Sequence, residues 1–219
     1  MFIMTGSRGG RGRGNSIAKR GALLKTTAVA GLLEYDGKVF YNTPQGTQRG
    51  IDPSMQFYRL NAALAGSNAT GVQSLFGKGV TLASSTVYAY EIVFALTKTV
   101  GTTAHAISRV YGGTATLNNI FEQVLLTVTP NVSGTSAACN VVALSVATAT
   151  AVTNSGTGAD QRPTFRLTGT VSVNSGGTFI PQYSLSVAPG GAYSTDAGSY
   201  ALFYPIGTSG ADTNVGAWA

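Results

Sequence analysis

Cysteine is almost absent: Cys139 is the only one in 219 residues. That excludes an internal disulfide framework and any zinc site built on several thiolates. In Ala-Ala-Cys-Asn-Val-Val the thiol reads as a small buried hydrophobe. Histidine is as scarce, with His105 alone, so proton transfer near neutral pH has few carriers. Charged residues make up only 10% of the chain, against about 25% in an average soluble domain. A large body with so little charge is expected to bury surface between subunits, because charge normally keeps a monomer dispersed and guards its sheet edges. No run reaches the ~20 apolar residues of a membrane-spanning helix. The stretch 22–33 has the apolar flavour of a secretory leader, but Lys25 interrupts it, and no leader or membrane partner is expected.

Glycine, by contrast, is abundant at 29 residues, among much Ser, Thr and Ala. That mixture does not suit a helical bundle, which draws on Leu, Glu and Lys. The aromatic and β-branched content is too high for disorder. Charge is also segregated. Arg8, Arg11, Arg13, Lys19, Arg20 and Lys25 precede the first acid, Glu34, and the other eight bases are matched by all eight acids. The net charge of +6 therefore sits on an N-terminal arm ahead of a neutral body, a layout that points to an acidic partner surface or nucleic acid. Residues 1–31 read as a Gly/Arg-rich anchoring arm and connector, and 32–219 as one β domain.

Within that domain, Asp36-Gly37 between two short apolar runs predicts a tight hairpin. A loop is expected over 42–53, a turn at 68–71, and at most one helical turn over 72–76. Period-2 alternation then dominates. Tyr88, Tyr90, Ile92, Phe94, Leu96 and Val100 share one face of a strand, with Glu91, Thr97 and Thr99 opposite. Phe165, Leu167, Val171 and Val173 repeat the pattern, as do Tyr183, Leu185 and Val187. Glycine and proline clusters at 112–113, 154–158, 175–177 and 189–191 punctuate the runs. Eight to ten strands at this spacing predict an all-β fold, an antiparallel two-sheet β-sandwich of jelly-roll-like type behind an extended basic arm.

Little in this chain points to catalysis. His105 lies in Thr-Ala-His-Ala-Ile-Ser with no nucleophile elbow nearby, and a satisfied strand histidine is the expectation. Asp36 is explained by its turn, Glu91 sits on the polar face of its strand, and Asp160, Asp196 and Asp212 lie in loop-like contexts, with no spacing that marks a metal site. No enzyme, cofactor or metal is expected. The Gly/Arg run could hold phosphate, yet it lacks interleaved aromatics and the body has no basic stripe, which disfavours nucleic acid. The expected anchoring residues are Phe2 and Ile3, as an apolar tip, with Arg8, Arg11, Arg13, Lys19, Arg20 and Lys25 as charge contacts.

Several ordered segments carry a resemblance: Glu34-Tyr35-Asp36-Gly37-Lys38-Val39-Phe40-Tyr41, Gln73-Ser74-Leu75-Phe76-Gly77, Tyr111-Gly112-Gly113-Thr114-Ala115-Thr116, Gly169-Thr170-Val171-Ser172-Val173-Asn174 and Pro181-Gln182-Tyr183-Ser184-Leu185-Ser186. With these the chain resembles a β-domain of virion structural proteins of cyanophages and other aquatic tailed bacteriophages. The resemblance implies a virion part. In that family the domain often closes a fibre, which would imply recognition of a host-surface glycan or protein. A short basic arm in place of a long repetitive shaft turns the expectation toward an outer-capsid decoration, or cement, protein. Such a protein would be a homotrimer bound to the major capsid protein of the same virion, and a tail-fibre or head-fibre adhesin is the alternative.

Overall fold

The computed structural model describes residues 33–35, 40–45, 48–52, 55–127, 139–143 and 149–210, with side chains described for 55–127 and 149–210. Every regular element among them is a β-strand. In chain order these are β1 (Leu33–Tyr35), β2 (Phe40–Gln45), β3 (Gln48–Asp52), β4 (Gln56–Arg59), β5 (Leu64–Ala65), β6 (Gln73–Ser74), β7 (Val80–Leu82) and β8 (Thr86–Thr97). There follow β9 (Ile107–Gly112), β10 (Thr116–Thr127), β11 (Cys139–Ala143), β12 (Thr150–Ala151), β13 (Thr164–Ser175), β14 (Gly177–Leu185), β15 (Ser194–Thr195) and β16 (Tyr200–Thr208). The surplus over eight to ten comes mainly from two- and three-residue pieces such as β5, β6, β7, β12 and β15, too short to show any alternation.

Two antiparallel sheets pack together. The larger runs β11-β10-β13-β8, with β16 and then β4 continuing beyond β8, while the short β15 also pairs with β8 and carries β5 on its other edge. The smaller runs β12-β9-β14-β6, with β7 also on β14. Side chains that alternate inward from both sheets meet in one core. Ile92, Leu96, Phe165, Val171 and Phe179 are wholly or almost wholly buried, and each such side chain stabilises the fold by roughly 1.5–3 kcal/mol. Aromatic pairs tie the layers: Phe94 stacks on Phe165 at 4.8 Å within the large sheet, and Phe179 of β14 meets Phe203 of β16 edge-on at 5.7 Å across the sandwich.

The long alternating segments adopt the predicted faces, with two corrections. Val100 and Val187 lie past the ends of β8 and β14 and are 59% and 46% exposed, because beyond the paired backbone nothing holds the alternation. The N-terminal hairpin exists, but Tyr35 pairs with Phe40, so four residues connect the strands where Asp36-Gly37 alone was expected. The loop expected over 42–53 is largely strand: β2 continues to Gln45 and pairs with β3, Phe40 opposite Asp52. Pro44, which has no N–H to give, falls inside the register shift between Asn42 and Gln45. Instead of a helical turn, 72–76 holds the short β6.

Candidate functional site

The expected anchors Phe2, Ile3, Arg8, Arg11, Arg13, Lys19, Arg20 and Lys25 lie outside the described residues, as does the side chain of Cys139. What the described residues bring together is a set of polar groups inside and on the sandwich that sequence reading had not singled out as sites.

At the centre, Glu122 of β10 is 0% exposed and faces Arg109 of β9, 2% exposed, from the opposite sheet. Arg109 Nε pairs with Glu122 Oε1. Tyr90 donates its hydroxyl to Glu122 Oε2 at 2.7 Å, and Tyr111 donates to the same oxygen. Every group touching the carboxylate is a donor, which is the arrangement of an ionised acid. Burial nevertheless pushes the Glu122 pKa above the usual carboxylate range, against Arg109 and the two tyrosines that hold it down. Both hydroxyls are in turn raised, by burial first and by the neighbouring carboxylate. Arg109 Nη1 and Nη2 are buried without a hydrogen-bond partner among the described residues; the guanidinium lies over the Tyr111 ring, 5.5 Å from its centre.

A glycine makes this geometry possible. Gly169 of β13 stands in register between Glu122 on one side and Tyr90 on the other. The outer strands of such a triplet are roughly 9–10 Å apart, and Tyr90 must reach across the middle one. A Cβ at Gly169 would also stand 1.9 Å from the Phe121 carbonyl oxygen.

A second cluster closes one end of the sandwich. Lys98, 1% exposed, directs Nζ at the carbonyls of Gly101 (2.6 Å), Gly158 (2.5 Å), Val100 (3.3 Å) and Ala159 (3.3 Å). It thereby ties the segment after β8 to the loop at 156–160, and Gly101 can turn there because its φ is +83°. Burial lowers the Lys98 pKa, and Asp160 works against that shift. His105 is satisfied, as expected: Nδ1 lies 2.7 Å from the Thr103 carbonyl and Nε2 2.7 Å from the Tyr193 hydroxyl. Burial lowers its pKa, so the ring is neutral. A carbonyl only accepts, so Nδ1 carries the hydrogen toward Thr103. The Tyr193 hydroxyl also bonds Gln161 Oε1, which extends the chain of contacts into the loop before β13.

Outside the core, Arg166 grips Glu91 Oε2 through Nε (2.9 Å) and Nη2 (2.5 Å), and Tyr200 donates to Oε1. The tyrosine bond, followed by Arg166, holds Glu91 below the usual carboxylate range against partial burial. Arg162 meets Asp196 at 2.7 Å. Thus three of the four carboxylates of 55–210 are ion-paired, Glu91 with Arg166, Glu122 with Arg109 and Asp196 with Arg162, while Asp160 is exposed. A cleft of about 160 Å³ opens beside β4, lined by Tyr58, Phe76, Val80, Pro181 and Phe203 with Lys78 at hand. Among the described residues no group of three His, Cys, Asp or Glu could hold a metal ion, and no helix is long and apolar enough to cross a membrane.

No family model and no curated protein matches the sequence. Among solved structures the chain is similar to one in the structure of infectious bursal disease virus Gx strain, with 6% identity and a TM-score of 0.19. That match spans 74% of this chain and 43% of the other. Likeness at this level bears on neither fold nor function, so the reading rests on the residues themselves.

Proposed function

We propose that the chain is a virion structural protein, an outer-capsid decoration protein that binds the capsid lattice through its N-terminal arm and stabilises the head. The observation that carries this reading is the segregation of charge. Six bases precede the first acid, while three of the four carboxylates between 55 and 210 are already ion-paired. With six bases against four acids, that part of the body has no negative charge to spare for the arm, which favours an acidic surface on a different protein. The resemblance to phage virion β-domains supplies the capsid as that surface and a trimer as the form. Each exposed arm contact is worth about 1 kcal/mol or less, and several tethered arms acting together raise the effective concentration enough for firm binding.

The test is binding of the full chain, and of the chain without residues 1–25, to purified heads of the virion that carries it. Arm-dependent binding that weakens with salt and protects heads against loss of DNA on heating is the expected result; binding that survives arm removal overturns it. The cleft beside β4 favours a second reading, a fibre adhesin, because Phe57 and Tyr58 are 56% and 38% exposed next to it. That reading expects density in a protruding fibre and loss of host adsorption when Tyr58 is replaced.

A further inference from the structure

The two outer faces of the sandwich differ. On β14 of the small sheet the outward residues are Thr178, Ile180, Gln182 and Ser184, a mostly polar set suited to water. On β8 of the large sheet they are Val87, Ala89, Glu91, Val93, Ala95 and Thr97, and on β16 they are Tyr200, Leu202, Tyr204 and Ile206. These central strands are therefore apolar on both faces, the pattern of a sheet covered on both sides. The register gathers the outward residues into rows. One row runs Gln123, Thr168, Glu91, Leu202, Phe57, and the next runs Phe121, Thr170, Ala89, Tyr204. At the margins Phe57, Phe121 and Leu125 are 56%, 51% and 44% exposed.

We propose that this outer face of the large sheet is where a second copy of the chain seats. Extent and charge both favour a copy of the same chain. Four strands at about 4.8 Å spacing sharing some eight residues at about 3.3 Å, with the short β4 beside them, give about 570 Å² in plan. Two such faces together, about 1,140 Å², come close to the lower end of the roughly 1,200–2,000 Å² of a stable interface. Near the middle of the face, Glu91 and Arg166 neutralise each other, and both Glu91 oxygens are already hydrogen-bonded. The face can therefore lose water around that pair without stranding it; its one further charge is Arg59, at the β4 margin opposite Tyr200, where it donates to Asn61 Oδ1. A largely apolar face whose central charges are already paired fits the same face of another copy across a two-fold axis, a contact separate from the three-fold one that the virion reading carries. The inference rests on the surface of the body alone, independently of the virion reading.

The experiment is sedimentation equilibrium of the full chain across roughly 1–100 µM, with Ala89→Arg, Leu202→Arg and, on the opposite outer face, Ser184→Arg. The wild type is expected to assemble and dissociate on dilution. A89R and L202R are expected to be monomeric throughout with unchanged circular dichroism, and S184R to match the wild type. A monomeric wild type at the top concentration overturns the proposal, as does assembly of A89R and L202R with wild-type affinity, or equal loss of assembly in S184R. Should A89R and L202R fail to fold, Phe57→Ser, at an already exposed position, carries the test: its dissociation constant should rise at least tenfold, and an unchanged one counts against the proposal. A monomer that still binds heads through its arm would overturn this inference and leave the proposed function standing; an assembled chain that ignores heads would do the reverse.

Discussion

Replacing Glu122 by glutamine changes one atom and should be among the most damaging substitutions in the body. The amide oxygen can still accept from Tyr90 and Tyr111, but its NH2 then faces Arg109 Nε, donor against donor. The guanidinium, whose other nitrogens already lack hydrogen-bond partners among the described residues, is left as an uncompensated buried charge. Breaking a buried pair in this way costs about 3–5 kcal/mol, a large share of the 5–15 kcal/mol that typically holds a domain together. Arg109→Met should cost less, because the carboxylate left behind keeps two tyrosine donors and can take up a proton, whereas arginine cannot lose one. Without Arg109 the already raised Glu122 pKa rises further. The folded state then prefers the protonated acid, so R109M stability is greatest in mild acid and falls as pH climbs from the ordinary carboxylate range through that raised value. The double variant R109M/E122Q has no buried charge and should come close to wild type, far above the sum of the single losses. Urea unfolding of all four proteins at pH 7, with equal slopes confirming comparable exposed surface, gives the cycle. Losses that add within about 0.5 kcal/mol would refute the coupling, as would R109M proving the weaker of the two single variants.

Three further outcomes follow from the same geometry. Lys98→Met removes the ammonium from four carbonyls and should release 99–103 and 156–160 together, read as faster amide hydrogen exchange confined to those segments and a loss of about 3 kcal/mol. His105 has its pKa lowered by burial, so its contribution is complete above the unfolded value near 6.5 and is lost as pH falls through that value. His105→Gln should flatten the dependence of the unfolding midpoint between about pH 7 and 5. Gly169→Ala sets a methyl against the Phe121 carbonyl, inside the gap that Tyr90 spans. It should cost about 3 kcal/mol or more, with Gly169→Ser no better, measured as the urea midpoint.

The sandwich was legible wherever strands are long and one-sidedly apolar, as in β8, β13 and β14. It was not legible in β2 beyond Tyr41 or in β3, whose Asn, Gln, Thr and Gly carry no alternation although their backbones pair. The buried polar groups were missed although their signal was present. Arg109 stands in phase between Ile107 and Tyr111, Glu122 between Ile120 and Val124, and Lys98 two residues after Leu96. A charge in the phase of an apolar stripe points inward, where it must find a partner. The pairing of Arg109 with Glu122 depends on which strands face each other across the core, and alternation along one strand does not contain that. The gap at Gly169 in the stripe of β13 was a further sign, since an inward position without a side chain leaves room for a neighbour to cross. The outer face of β8 was read as polar on the strength of Glu91 and Thr97, while Val87, Ala89, Val93 and Ala95 share that face.

The order in which the chain is made bears on how this sheet can form. β8 lies between β13 and β16, so its last neighbour is more than 100 residues downstream, with Tyr90 opposite Phe203. During synthesis the central strand must wait, its Tyr, Ile and Phe side chains uncovered, until the C-terminal part has left the ribosome. Pairings this distant place the body among slow folders, on the millisecond-to-second scale, and make the half-made chain the form most exposed to aggregation.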